Sequence, residues 1–259
     1  MSKTSYRHEK ILNSFLCKDY VSVTELSHLL NVTEVTIRMD LNKLSNAGKV
    51  ARIHGGAKLV EERIKQEYSF QVRKNLNSSL KIKIGEKAAT YITSLDSILF
   101  DASTTVLMLA NELKKYEHLK DITIIPTGIW TAIELMKCNY VNVLLPGGYI
   151  RPTTGSIMGL PVSDFIKGLN IQKAFLGAWG ISAENGLTDT HLTEIELKKF
   201  IVSRVSEVIV LVDGSKFSQS GLSAYAEIIQ VSKIITDSSA PEEEIKKIRN
   251  KGVEVIITD

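Results

Sequence analysis

The sequence predicts an α/β protein: a mostly parallel sheet with helices on both faces, preceded by a small domain of short helices and a hairpin. Three observations lead there. From about residue 80 onward, short runs rich in β-branched residues alternate with helix-like segments. Those runs read apolar throughout, as strands covered on both faces do. The first 60 residues lack such runs and instead carry helix caps and a Gly-rich turn.

In the head, residues 6–16 place Ile11, Leu12 and Phe15 at helical spacing. Ser22-Val-Thr-Glu25 has the form of a capping box, opening a helix with Leu26, Leu29 and Leu30. Asn31-Val32 makes a tight break. Thr33 then caps a helix whose Ile37, Leu41 and Leu44 share one face, and Asn46-Ala-Gly48 stops it. Val50–Ile53 and Ala57–Val60 flank His54-Gly55-Gly56 as two short strands about a turn. Residues 61–78 are polar and charged and read as a linker, giving domains at 1–60 and 79–259. In the body, strands are expected near 97–100, 122–125, 141–145, 173–176, 208–212, 233–236 and 253–257. Helices are expected near 80–94, 104–116, 128–138, 190–206 and 241–250.

Composition excludes several classes. The chain has 259 residues, an ordinary apolar share and a net charge of +3. No run of about 18 apolar residues is present, so no membrane span is expected. No apolar segment follows the N-terminus, so no secretory signal is expected. Cys17 and Cys138 lie far apart with no CxxC spacing and read as buried apolar residues of a reduced, cytoplasmic protein. His8, His28, His54, His118 and His191 show no ligand spacing, so neither a metal nor a cofactor is expected. No GxxxxGK[ST] or post-strand GxGxxG occurs. The charge is uneven: residues 1–60 hold nine Lys and Arg against five acids, so a polyanion partner is expected for the head only.

The stretch 20–44 has helix-turn-helix logic. The helix that hides Ile37, Leu41 and Leu44 offers Glu34, Thr36, Arg38, Met39 and Asn42 outward. Arg38 suits a guanine edge or a phosphate, and Thr36 a phosphate or a thymine methyl. The hairpin with Arg52, His54 and Lys58 is a wing whose cations reach flanking phosphates. A protein-binding helical domain with a solvated charged face is the alternative.

Ligands of parallel sheets bind outside the carboxyl ends of the strands. Asp101-Ala-Ser-Thr-Thr105 follows the first run and opens a helix, so Ser103, Thr104 and Thr105 read either as an anion cradle or as an ordinary cap. Pro126-Thr-Gly128, Pro146-Gly-Gly-Tyr-Ile-Arg151, Gly177-Ala-Trp-Gly180 and Asp213-Gly-Ser-Lys216 follow later runs. The paired Gly147 and Gly148 permit close backbone approach to a ligand, and Arg151 and Lys216 can neutralise an anion.

The run Val21–Leu44 followed by Ala47-Gly-Lys-Val-Ala-Arg-Ile-His-Gly-Gly-Ala57 resembles the DeoR-type regulator signature, T-[IV]-R-x-D-L…L…G…R…H-G-G-A. The resemblance spans residues 5 to 257. In the body it rests on Asp101-Ala-Ser-Thr-Thr, Gly147-Gly148…Arg151, Gly186-Leu-Thr…Glu196-Leu-Lys198 and Asp213-Gly-Ser-Lys-Phe217. It implies a winged helix-turn-helix with 33–46 as recognition helix and a double-stranded DNA operator as partner, with Thr33 joining the DNA-binding set. It implies a body similar to ribose-5-phosphate isomerase and CoA-transferase domains that binds a phosphorylated sugar effector. Position by position, Ser103, Thr104 and Thr105 would hold phosphate and Asp101 would take sugar hydroxyls. Gly147, Gly148, Arg151 and Lys216 would complete the pocket, beside Thr127, Trp179, Lys198 and Asp213. Met39 stands where the family usually has a basic residue. Trp179 stands where it often has an acid, and Thr127-Gly128 where it often has Asn-Ser.

The implied function is a repressor of sugar uptake or catabolism genes, relieved by the effector and acting as a homo-oligomer, dimer or tetramer. The alternatives are a sugar-phosphate isomerase with an extra head and a protein-interaction adaptor. The isomerase needs a positioned carboxylate, and the loop Gly177-Ala-Trp-Gly-Ile-Ser supplies none before Glu184.

Overall fold

The computed structural model describes residues 3–15, 20–46, 50–59 and 70–259. The chain divides into two compact units, Met1–Tyr68 and Ser69–Asp259. Cys17, the stop at Ala47-Gly48 and residues 61–69 of the expected linker lie outside the described residues.

The first unit runs α1 (Lys3–Ser14), β1 (Tyr20–Ser22), α2 (Val23–Leu30), α3 (Glu34–Asn46), β2 (Val50–Ile53) and β3 (Gly56–Leu59). The caps form where the sequence places them. Ser22 Oγ accepts from the Glu25 N–H at 3.1 Å, and Thr33 Oγ1 from the Thr36 N–H at 3.3 Å. Asn31 ends α2 in the left-handed region at φ 50°, a conformation its short polar side chain tolerates. Ile11, Phe15, Val21, Leu26, Ile37, Leu41, Leu44, Val50 and Ala57 form the core. The strand β1 was not anticipated. It pairs antiparallel with β3, Val21 opposite Ala57, and Gly56 is required there because a Cβ would sit 2.3 Å from the Val21 carbonyl oxygen.

Asp40, on the inner face of α3, is buried at 2 % exposure. Arg7 donates to its two oxygens at 2.5 and 3.2 Å, and His8 Nε2 lies 2.8 Å from Oδ1. Burial pushes the Asp40 carboxyl up, but the hydrogen bonds and charges of Arg7 and His8 outweigh it and hold it below the usual carboxylate range. This contact ties α1 to α3.

The second unit contains α4 (Phe70–Asn75), α5 (Ser78–Ala89), β4 (Ser97–Phe100), α6 (Thr104–Glu112), β5 (Ile122–Pro126), α7 (Ile129–Leu135), β6 (Val141–Val143), β7 (Tyr149–Ile150) and β8 (Ile157–Met158). It continues with α8 (Leu160–Lys167), β9 (Lys173–Leu176), β10 (Gly180–Ser182), β11 (Gly186–Asp189), α9 (Leu192–Val202), β12 (Glu207–Leu211), β13 (Ser223–Ala226), β14 (Lys233–Asp237), α10 (Glu242–Asn250) and β15 (Glu254–Thr258). A 7-stranded sheet orders β15-β14-β12-β9-β4-β5-β6, every pair parallel.

Alternate strand residues feed opposite faces. Leu99, Val208, Val210 and Ile234 pack with Val162, Ile166, Ile195, Ile201, Ile245 and Ile248 of α8, α9 and α10. Ile98, Phe100, Ile209, Leu211 and Ile235 pack with Ile84, Ala88, Val106 and Leu109 of α5 and α6. The apolar-throughout pattern thus marks strands buried on both sides.

Residues 70–78 depart from the linker reading. They form α4 and the start of α5 inside the second unit. Phe70 is buried against Leu107 and Met108 and stacks on Trp130 at 6.0 Å, and its N–H donates to the Thr153 carbonyl at 2.8 Å. The antiparallel sheet β10-β11-β13, the β7-β8 hairpin and α8 were also not anticipated. Among the described residues, no helix is long and apolar enough to cross a membrane.

Asp40→Asn is expected to destabilise the first unit by about 1–3 kcal/mol, since charge-assisted bonds are lost while Arg7 can still reach water. Because the folded carboxyl is held below its unfolded value of roughly 3.9, its stabilisation is present above that pH and is lost as pH falls through the folded value. Hydrogen exchange of α1 and α3 in the full chain across an acid titration checks this. Equal acid sensitivity of wild type and D40N would refute it.

Candidate functional site

On the first unit, α3 presents an outward face in which Arg38 is paired with Glu34 at 2.6 Å. Glu34 also accepts from Thr24 Oγ1 at 2.7 Å, and the Thr33 and Thr36 hydroxyls lie 3.0 Å apart. Such a surface pair contributes about 0–1 kcal/mol, so Arg38 can be turned to a new partner at little loss. Met39 and Asn42 are exposed, and so is Val35, one turn before Met39, which sequence reasoning did not single out. The two neighbouring apolar side chains suit thymine methyl groups.

The hairpin separates its cations. Lys58 pairs across from Ala51 and Tyr20, whereas Arg52 pairs with buried Ala57. Side chains alternate across a strand, so Arg52 and Lys58 point to opposite faces of the hairpin. The Arg52 Nη1 is buried without a hydrogen-bond partner. His54 stands exposed at the turn.

In the second unit, the chain runs outward from β4 through β5 to β6, then returns to β9 and runs the other way through β12, β14 and β15. Neighbouring β4 and β9 therefore form the switch point, and ligands of such sheets bind outside the carboxyl ends of the strands there. Asp101 follows β4 and Gly177 follows β9. Asp101 Oδ1 accepts from the Ser103 N–H at 2.9 Å, and Oδ2 from the Gly177 N–H at 2.7 Å. Ser103 Oγ caps α6 by accepting from the Val106 N–H at 3.1 Å. Gly177 is needed for this approach, since a Cβ there would lie 2.4 Å from Ser103 Cβ.

Lys198 of α9 closes the frame. Its ammonium lies 2.8 Å from Asp189 and 3.2 Å from Asp101 and donates to the Gly177 carbonyl at 2.8 Å. Tyr225 donates to the same carbonyl at 2.9 Å. Burial opposes the charge on Lys198, but Asp189 and then Asp101 overcome it, so the ammonium stays charged well above its usual range. Burial raises Asp189 and Lys198 more than offsets this, leaving its carboxyl low. Asp101 and Lys198, both expected at the ligand site, bond to each other and fix the loops after β4 and β9.

Thr104 and Thr105 are buried at the start of α6, where the first amides have no intrahelical acceptor. Thr127 is buried, its N–H on the Phe100 carbonyl at 2.8 Å. Asp213, after β12, accepts from Asn77 Nδ2 at 3.0 Å and from the Ser215 N–H at 3.1 Å. Lys216 lies 5.5 Å from the Trp179 ring centroid. Burial pulls its ammonium down; Asp213 opposes this and Arg73 adds to it. Lys81 donates to the Arg73 and Leu76 carbonyls at 2.5 and 2.7 Å, and burial brings its pKa down to about 8 against the pull of Asp213.

Other expected residues lie differently. Arg151 donates to Glu194 at 3.2 Å, and Glu194 also accepts from Thr154 and Ser156. Gly148 is required by its own chain, since a Cβ would meet the Met158 carbonyl oxygen at 2.6 Å, whereas Gly147 faces open space. A cleft of about 200 Å³ beside β10 and β11, lined by Ile181, Asn185, Thr188, Phe217 and Gln219, contains none of the expected residues.

Sequence reasoning missed Arg73, Asn77 and Lys81, hidden at the edge of a polar stretch, and Asp189 and Tyr225. Asp189 stood inside the quoted Gly186-Leu-Thr-Asp run, but nothing local marks it as a partner of Lys198. Arg73, Lys81, Lys198 and Lys216 face Asp101, Asp189 and Asp213, leaving a surplus of positive charge.

Comparison with known proteins matches residues 7–63 to the DeoR-like helix-turn-helix domain and residues 76–238 to the DeoR C terminal sensor domain. The chain is 30% identical to the HTH-type transcriptional regulator GolR of Listeria innocua over 98% of each chain. It is 29% identical to the glycerol-3-phosphate regulon repressor of Escherichia coli K12, covering 92% of this chain and 93% of that one. A ribose 5-phosphate isomerase from Plasmodium falciparum superposes with a TM-score of 0.41 at 24% identity, covering 56% of this chain and 55% of the other. With both halves matched in order along nearly its whole length, the chain belongs to the DeoR family of HTH-type transcriptional regulators.

Proposed function

We propose that this protein represses genes of sugar uptake or catabolism in the cytoplasm, holding an operator duplex through α3 and releasing it when a phosphorylated sugar fills the switch-point crevice. The observation that carries the effector reading is the unbalanced cationic charge of Lys216, Lys81 and Arg73 around the turn after β12, at the same carboxyl edge of the sheet as the first amides of α6. A phosphate dianion answers both features. A relative that represses the glycerol-3-phosphate regulon supports this ligand chemistry.

The protein is a regulator and not an enzyme. Its relatives are named as transcriptional regulators, and Asp101, Asp189 and Asp213 are each tied up by cations, hydroxyls or amides. Proton shuttling needs a carboxylate positioned to reach a substrate.

One recognition helix grips few base pairs, so a homo-oligomer, dimer or tetramer, is part of the proposal: paired heads multiply affinity through effective concentration. Effector and operator affinities are linked reciprocally, by about 1–3 kcal/mol.

Arg38→Ala is expected to weaken binding to an operator duplex selected from random DNA by about 1–3 kcal/mol. It should leave intact the thermal stabilisation by a phosphorylated sugar. Fluorescence anisotropy and a thermal-shift screen read the two separately. Loss of both in the one variant would refute the division of labour.

A second expectation concerns pH. A bound phosphate favours the charged form of Lys81, whose pKa of about 8 lies below its ordinary value. Phosphate affinity should therefore fall as pH rises through about 8, with proton uptake on binding near that pH. Calorimetry in buffers of different ionisation enthalpy measures both. A flat profile from pH 7 to 9 would remove Lys81 from the site.

A further inference from the structure

Helix α3 keeps its core contacts on one side, where Ile37, Asp40, Leu41 and Leu44 are buried. Successive residues turn about 100° around a helix, which locates the line opposite those four. Val35, Met39, Asn42 and Asn46 lie within about 30° of that line, and Arg38 and Lys43 stand about 70° to either side. All six are exposed, Val35 at 63 % and Met39 at 57 %. The crest of the helix is thus two apolar side chains and two amides, with the cations on its flanks.

A second observation holds Arg38 off the crest. Its guanidinium donates to Glu34 at 2.6 Å. Glu34 lies farther round the helix from the crest, and Thr24 of α2 donates to it at 2.7 Å. The guanidinium is therefore drawn toward α2, at the side of the face.

The major groove admits one helix. The central line of that helix meets base edges, and its flanks meet the two phosphate walls. Guanine is read by a bidentate cation, and the crest has none. An apolar side chain packs on the C5 methyl of thymine, and an amide pairs bidentately with N6 and N7 of adenine. Val35 and Met39 leave apolar surface in water, and covering it with methyl groups recovers that loss. Every crest residue therefore favours A·T pairs.

Resting on the reading of α3 as the helix that holds the operator, we infer that Val35 and Met39 are specificity-determining residues that read thymine methyl groups, with Asn42 on an adenine edge beside them. Arg38 and Lys43 hold the phosphates on the two sides and set the register, carrying little sequence information. The operator is accordingly A·T-rich where α3 crosses it.

The test selects operator duplexes from random DNA with the full chain and reads affinity by fluorescence anisotropy. Replacing a thymine by deoxyuridine removes the methyl and leaves base pairing intact. At one or more operator thymines, this swap should weaken wild type about three- to fivefold for each methyl. Val35→Ala and Met39→Ala should bind the thymine operator more weakly by a like factor, and each should be indifferent to the swap at the thymine it reads. Met39→Arg should select a guanine at that position. Arg38→Ala and Lys43→Ala should weaken selected and random duplexes alike, with a shallower salt dependence and an unchanged selected sequence. All these side chains are exposed, so melting temperatures should stay near wild type and lost binding reports lost contact. The inference is overturned if G·C pairs fill the selected site, if deoxyuridine costs wild type nothing at every position, or if V35A and M39A keep full sensitivity to it. If wild type selects no duplex, or if neither R38A nor K43A changes affinity or salt dependence, the reading of α3 itself fails. That result is distinct from loss of the methyl effect alone.

Discussion

The second unit depends on one buried ammonium. Lys198 reaches from α9 to Asp101 after β4, to Asp189 at the end of β11 and to the carbonyl of Gly177 after β9. Taking an ammonium and two carboxylates out of water costs several kcal/mol per ion, and only close, fully bonded geometry repays it. Here that geometry exists, because Asp101 accepts two backbone amides in addition to the ammonium. The same bonds fix the start of α6 and the loop after β9 relative to each other. The loops after β4 and β9 are thereby braced against each other.

That commitment sorts the charges into two sets. Lys198, Asp101 and Asp189 form a frame with net negative charge. Arg73, Lys81 and Lys216 surround it, and Asp213 offsets only part of their charge. A frame that consumes its own carboxylates leaves cations and amides as the groups able to meet a ligand. An anion is the ligand proposed for them. The first unit obeys the same economy of position: Asp40 is buried under Arg7 and His8 to hold α1 on α3, while the Arg38–Glu34 pair lies at the surface, where it can be exchanged for DNA.

What was legible in the sequence was local or periodic. Ser22, Thr33 and Ser103 cap helices because a hydroxyl three residues before an amide needs no distant partner. The parallel sheet was legible because double-sided burial makes whole strands apolar. What stayed hidden depends on pairing across long separations. Two- and three-residue strands such as β1, β7 and β10 exist only through their partners, and Asp40 looks like any polar position of a helix until α1 arrives. Helix α4 was read as linker since one Phe and one Val among charged residues give no period. Arg52 and Lys58 looked alike as wing cations because the strand alternation that parts them needs the β2–β3 register. Asp101 was legible as a post-strand polar residue, but its bonds to Gly177 and Lys198, both far away in sequence, were not.

These limits share a cause that bears on regulation. The residues easiest to read, hydroxyls and glycines in post-strand loops, describe a generic anion cradle. The residues hardest to read, Arg73, Lys81 and Asn77, connect that cradle to the chain entering from the DNA-binding unit. Sensing requires both: a site that only binds has no means of reporting, since a ligand shifts an equilibrium only through contacts that differ between the two states. The frame around Lys198 is a poor candidate for that difference because its bonds are complete without ligand. The start of the second unit is the better one, because there Lys81 holds the end of α4 and Asn77 reaches Asp213.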